Sequence, residues 1–148
     1  MSEAVEIYGQ FGQTLAFAEA TLNKVLEAHL ATRATAPERW YALKLTAQHE
    51  PIARAALIGG LAAGGKVEPA DAEPLICGLV ADGLLTGEAF LSLSELGHST
   101  FAELREFVLT PTIRLLGHFD LADIETTIRT MRAVAERAQA EELTVPAS

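Results

Sequence analysis

The side chains best able to move protons or hold metal ions are sparse in this sequence and poorly spaced for either task. His49 and Glu50 are neighbours, but adjacent helical residues point about 100° apart and make no ready acid–base pair. His98 and His118 match no metal-ligand spacing, and neither His-Glu-x-x-His nor Cys-x-x-Cys occurs. There is no Gly-x-Ser-x-Gly elbow to expose a nucleophile. Gly59-Gly60 and Gly64-Gly65 do not follow a strand, as a phosphate-cradling loop would. The histidines read as solvated or core residues, so no catalytic residue, cofactor or metal is nominated. Cys77 stands alone, which excludes an intrachain disulfide framework and points to a reducing cytoplasm. It lies on the apolar stripe of a helix, where a small buried core residue is expected.

Charge narrows the function classes further. Eleven Lys and Arg against twenty Asp and Glu give a net charge of −9. A polyanion repels such a chain unless its cations gather on one face, because phosphate neutralisation supplies most non-specific affinity for DNA. The apolar fraction is 49 %, rich in alanine and leucine, which favours helix. No apolar run approaches the ~20 residues that span a bilayer. The opening Met1-Ser-Glu-Ala-Val-Glu has no basic region ahead of an apolar one, so no secretory signal is expected. By length, the 148 residues form one domain.

The elements that must position these residues are mostly helices. Ile7, Phe11, Leu15, Ala18, Leu22, Val25 and His29 recur at steps of three and four, which predicts one long helix over residues 6–33. His29 lies on that seam, as a satisfied core or interface residue. Thr35, Pro37 and Glu38 read as N-cap, first turn and capping-box partner of a second helix. Pro51 permits a third helix from Ile52 to Ala63, with Leu57, Ile58 and Leu61 inward. Leu75, Ile76, Leu79 and Val80 mark a short fourth helix, and Pro74 places its regular start near Glu73. Gly83 supplies a left-handed stop. Leu84-Leu85-Thr86 and Phe90-Leu91-Ser92-Leu93 read as two strands joined by a tight turn at Gly87-Glu88. Ser94 caps the next helix, expected over Leu96 to His118 and kinked or divided at Pro111. Asp120 caps the last, with Phe119 and Ile124 as a hydrophobic staple, and the stripe runs to about Glu142 before a frayed tail.

Helix, hairpin, helix is the back half of a winged helix-turn-helix, and the words of this stretch resemble the MarR family of bacterial transcriptional regulators. Gly78-Leu79-Val80-Ala81-Asp82-Gly83-Leu84-Leu85 looks like the end of that family's recognition helix entering its first wing strand. Leu91-Ser92-Leu93-Ser94-Glu95-Leu96-Gly97 looks like the second wing strand and the start of the following helix. The resemblance covers nearly the whole chain. It implies a mainly α protein with a small β-hairpin, a single MarR-like domain over 1–148. A winged-helix core at about 35–97 is flanked by long dimerisation helices at about 6–33 and 98–142. It further implies an isologous homodimer.

This chain departs from the family's pattern where DNA would be read. The family's wing is a long loop carrying Asp-x-Arg, whereas only Gly87, Glu88 and Ala89 separate the strands here. Between Val67 and Gly83 the charged residues are Glu68, Asp71, Glu73 and Asp82, with no Arg, Lys, Asn or Gln to read a base edge. Lys66, Glu73 and Thr86 are the candidate DNA contacts, and operator binding is expected to be weak or absent. Cations such as Lys44, Arg54 and Lys66 could still grip duplex DNA, which would make the chain an ordinary ligand-responsive regulator. MarR-like dimers commonly hold small aromatic ligands between the dimerisation helices and the core. The resemblance puts Phe11, Phe17, Trp40, Tyr41 and Lys44 around such a crevice, as candidates to bind a small aromatic or apolar molecule. A third reading is a cofactor-free enzyme recruiting His29, Tyr41 or His118 in that crevice.

Overall fold

A computed structural model describes residues 2–144; of the tail expected to fray from Leu143, residues 143 and 144 are helical instead, and residues 145–148 lie outside the described residues. The order is α1 (Glu3–Ala31), α2 (Pro37–His49), β1 (Ile52–Ala53), α3 (Arg54–Ala63), α4 (Pro69–Ala81), β2 (Leu85–Gly87), β3 (Phe90–Leu93), α5 (Glu95–Leu116) and α6 (Leu121–Thr144). These form two compact units, one up to Pro111 and one from Thr112.

The first unit is built on α2, α3, α4 and a three-stranded antiparallel sheet of order β1-β3-β2. The central strand pairs Leu91 with Ile52 on one side and with Gly87 on the other. Leu91 is fully buried, as are Leu43, Leu57, Ile76 and Leu79 of the three helices. Thr46 is the buried polar residue among them, and its hydroxyl donates to the Ala42 carbonyl at 2.8 Å. The carboxyl end of α1 joins this core through Leu30 and the half-buried Leu26. Its amino-terminal two thirds lies exposed, Ile7, Phe11, Leu15 and Leu22 included.

Several expectations hold in detail. α4 ends in a Schellman arrangement around Gly83 (φ 79°): the Gly83 amide donates to Val80 and the Leu84 amide to Leu79. Ser94 caps α5, its Oγ accepting from the Gly97 amide at 2.9 Å while its hydroxyl donates to the Gly83 carbonyl. In the second unit Asp120 caps α6 through the Ala122 amide at 2.9 Å.

Others need correction. Residues 52–53 form a strand rather than the first turn of α3, because Ile52 and Ala53 find open backbone partners on β3. α4 begins at Pro69, four residues before the expected start: proline is at home in a first turn. Pro74, inside the helix, frees only the carbonyl of exposed Ala70. α2 has Ala36 at its N-cap position with no side-chain bond, since the Thr35 hydroxyl turns back to the Arg33 carbonyl. α1 starts at Glu3, where Ser2 accepts from the Val5 amide. α5 is undivided and runs through Pro111. Phe119 stays 67 % exposed ahead of α6.

Candidate functional site

The face that a winged helix turns to DNA is the outward side of α4 and the β2–β3 tip. Along α4 the exposed residues include Ala70, Glu73, Pro74, Cys77 and Ala81. The guanidinium lying against this face comes from Arg54, at the start of α3, and each of its three nitrogens has a partner. Its Nε donates to Glu73 Oε1 at 2.7 Å, one terminal nitrogen to the Glu88 carbonyl at 3.0 Å, and the other lies 2.7 Å from Glu73 Oε1 and 3.6 Å from Cys77 Sγ. The Arg54 amide also donates to the Ala89 carbonyl at 2.8 Å. One side chain thus ties α3, α4 and the hairpin tip together. The hydrogen bond to Glu73 raises the Arg54 pKa above its ordinary value.

This geometry corrects the expectation for Cys77. The thiol is exposed and lies against Arg54 and Glu73, because the buried side of α4 runs through Ala72, Ile76 and Leu79 and leaves position 77 outside it. The other DNA-contact candidates separate. Thr86 is exposed on β2, Glu73 is held by Arg54, and Lys66 is held by α1, its Nζ donating to Glu19 at 3.4 Å. Arg39 pairs with Asp82 at 2.9 Å. Lys44 is exposed and makes no ion pair with a described residue.

The aromatic candidates also divide. Trp40 is 5 % exposed and stacks on Phe101 at 5.6 Å, as part of the core. Phe11 and Phe17 stand 40 % and 73 % exposed on α1. Tyr41 is half-buried, its hydroxyl is shielded from solvent without a hydrogen-bond partner, and Lys66 Nζ lies 5.9 Å from its ring centroid. Burial raises the phenol pKa above its ordinary value, and the carboxylates of Glu27, Glu38 and Glu19 add to the rise. Tyr41, Lys66 and Glu19 therefore meet at one place, with a polar atom there lacking a partner.

Two arrangements had no local signal in the sequence. His98 Nε2 lies 3.0 Å from Glu50 Oε1, whose other oxygen is buried and unpartnered; the pair is 48 positions apart, so spacing could not reveal it. An open cavity of about 320 Å³ is lined by Arg33, Glu103, Glu106, Phe107 and Thr110, none of them a nominated ligand contact. No three metal-binding side chains converge among the described residues. No helix of the described chain is long and apolar enough to cross a membrane.

No protein-family model matches the chain, and no curated protein matches it by sequence. Solved structures do match by shape. A MarR family transcriptional regulator from Silicibacter pomeroyi superposes with a TM-score of 0.76 at 18 % identity, covering 92 % of each chain. A Mycobacterium tuberculosis MarR family protein solved with p-aminosalicylic acid gives 0.69 at 15 % identity, over 84 % of this chain and 98 % of that one. The same mycobacterial protein solved with DNA gives 0.65 at 19 % identity, over 84 % and 96 %. The helix order, the three-stranded sheet and these superpositions agree: the chain has the winged helix-turn-helix fold of the MarR family of transcriptional regulators.

Proposed function

We propose that this chain is a homodimer of transcriptional-regulator architecture that holds a small aromatic or apolar molecule beside Tyr41, and that it grips operator DNA weakly or not at all. The observation that carries the reading is the state of its cations. Between residues 35 and 97 there are four cations and eight carboxylates. Three of the four, Arg39, Arg54 and Lys66, already face a carboxylate. Releasing condensed counterions from DNA needs free Lys and Arg. A cation held by its own protein must first give up that partner.

The ligand half of the reading rests on Tyr41. A shielded hydroxyl without a partner is costly, and a bound molecule offering an acceptor would relieve that cost. Exposed Phe11 and Phe17 supply apolar surface on α1, while Trp40 serves as core packing against Phe101. The mycobacterial protein of this fold solved with p-aminosalicylic acid supports a small aromatic ligand as the first probe. The dimer half rests on the exposed apolar side chains of α1, α5 and α6, Ile7, Ile113 and Leu121 among them.

The second reading, a ligand-responsive repressor, is favoured by the mycobacterial structure that contains DNA. One experiment separates the two. Purified protein is titrated with p-aminosalicylate by calorimetry and with fluorescent genomic duplex fragments by anisotropy at low and moderate salt. The proposal expects heat with p-aminosalicylate or a related aromatic, lost in Tyr41→Phe, and no fragment bound tightly at moderate salt. Tight, sequence-selective and salt-dependent DNA binding would install the repressor reading.

A further inference from the structure

We infer that His29 is the hydrogen-bond donor that completes α5 where Pro111 breaks its backbone ladder, so that a side chain of α1 serves as the missing amide of another helix. The inference concerns packing and stands whether or not the functional reading does. In an α-helix the amide of residue 111 would donate to the carbonyl of residue 107. Proline has no such hydrogen, yet α5 continues from Glu95 to Leu116. The Phe107 carbonyl is therefore freed, and Phe107 is half-buried and packed on the core, where an unpaired acceptor is expensive. His29 Nε2 lies 2.8 Å from that carbonyl oxygen.

The chemistry fixes the donor. A carbonyl only accepts, so Nε2 carries the hydrogen. The ring is held in place by its own stacking on Phe107, with centroids 3.8 Å apart and planes inclined by 14°. Arg33, one turn further along the chain, lays its guanidinium 3.9 Å from the centroid of the same Phe107 ring. His29 and Arg33 thus grip a single residue of α5, His29 by its backbone and both by its ring.

A second proline supplies the internal comparison. Pro74 removes the amide that would reach the Ala70 carbonyl in α4, but Ala70 is exposed and water can serve it. The buried break is the one that meets a histidine.

A double-mutant cycle of His29→Ala and Pro111→Ala tests this, by chemical denaturation at one fixed protein concentration. Losing the stacking affects both backgrounds alike, so the cycle isolates the hydrogen bond. With Pro111 present, His29→Ala is expected to raise the unfolding constant about tenfold more than it does in the Pro111→Ala background, where the alanine's own amide can serve the carbonyl. His29→Gln, which places an amide nitrogen where Nε2 was, is expected to recover most of the loss. Equal losses in both backgrounds would overturn the inference. Nitrogen NMR of the unmodified protein gives an answer that needs no variant to fold: a hydrogen on Nε2 of His29 is expected, and a ring bare at Nε2 would overturn the inference.

Discussion

Tyr41 shows how a single unsatisfied atom sets behaviour at the residue scale. Its hydroxyl makes no bond within the described protein, so Tyr41→Phe removes a burden rather than an interaction. The variant is expected to melt at or slightly above the parent temperature in the absence of ligand, and to lose ligand-dependent stabilisation; calorimetric scans with and without p-aminosalicylate check both. The raised phenol pKa has a definite sign. Above the ordinary phenol value of about 10 the unfolded chain ionises while the folded one keeps its proton, so stability falls as pH climbs past that point. Tyr41→Phe is expected to flatten this alkaline decline in denaturation midpoints measured across it. Arg54 makes the opposite case, with its nitrogens committed to Glu73, the Glu88 carbonyl and Cys77. Arg54→Ala is expected to cost about 1–2 kcal/mol by urea titration, more than an ordinary exposed pair, because three elements lose a common tie. Arg54→Lys is expected to recover less than half, since one ammonium cannot reproduce the planar fork. Tyr41 was legible as a candidate, but the tie made by Arg54 was not: Arg54 and Glu73 are nineteen positions apart, and the exposure of Cys77 follows from a helical phase that its apolar neighbours obscured.

At the scale of elements, what the sequence revealed were the devices that act locally. The Gly83 stop and the Ser94 and Asp120 caps each involve residues within five positions of one another, and each stands in the structure. The strand at Ile52–Ala53 was hidden because its partner, β3, lies almost forty residues later and two residues carry no alternation. The early start of α4 was hidden because Pro69 and Pro74 compete as start signals, and only packing decides between them. Gly97 joins the local and distant scales. It is buried in the first turn of α5, and a Cβ there would run into the Leu84 carbonyl at the entry to the hairpin. Backbone cannot yield as a flexible side chain does. Gly97→Ala is therefore expected to lower stability by about 1–3 kcal/mol through overpacking, measured by thermal unfolding, whereas Gly78→Ala, with open space around it, is expected to be neutral or mildly stabilising.

For the whole molecule, two quantities point away from a solitary DNA clamp: a net charge of −9 and the apolar side chains left in solvent. Leu15 is 44 % exposed although it sits on the helical stripe of α1, and Ile113 on α5 is 65 % exposed. The periodicity was legible because amphipathic helices announce that a face must be covered; it is silent on whether the cover is the same chain or another. Monomers seldom leave so many large apolar residues uncovered, and a stable interface takes about 800 Å² from each partner. The expected state is a dimer by sedimentation at micromolar concentration. Each exposed leucine or isoleucine that becomes buried contributes about 1.5–3 kcal/mol. Leu15→Glu combined with Ile113→Glu is therefore expected to weaken association at least a hundredfold. The core around Leu43, Leu57 and Leu91 includes neither residue, so its near-ultraviolet signal is expected to persist. A double variant that sediments as the parent does would show that these faces are covered in some other way.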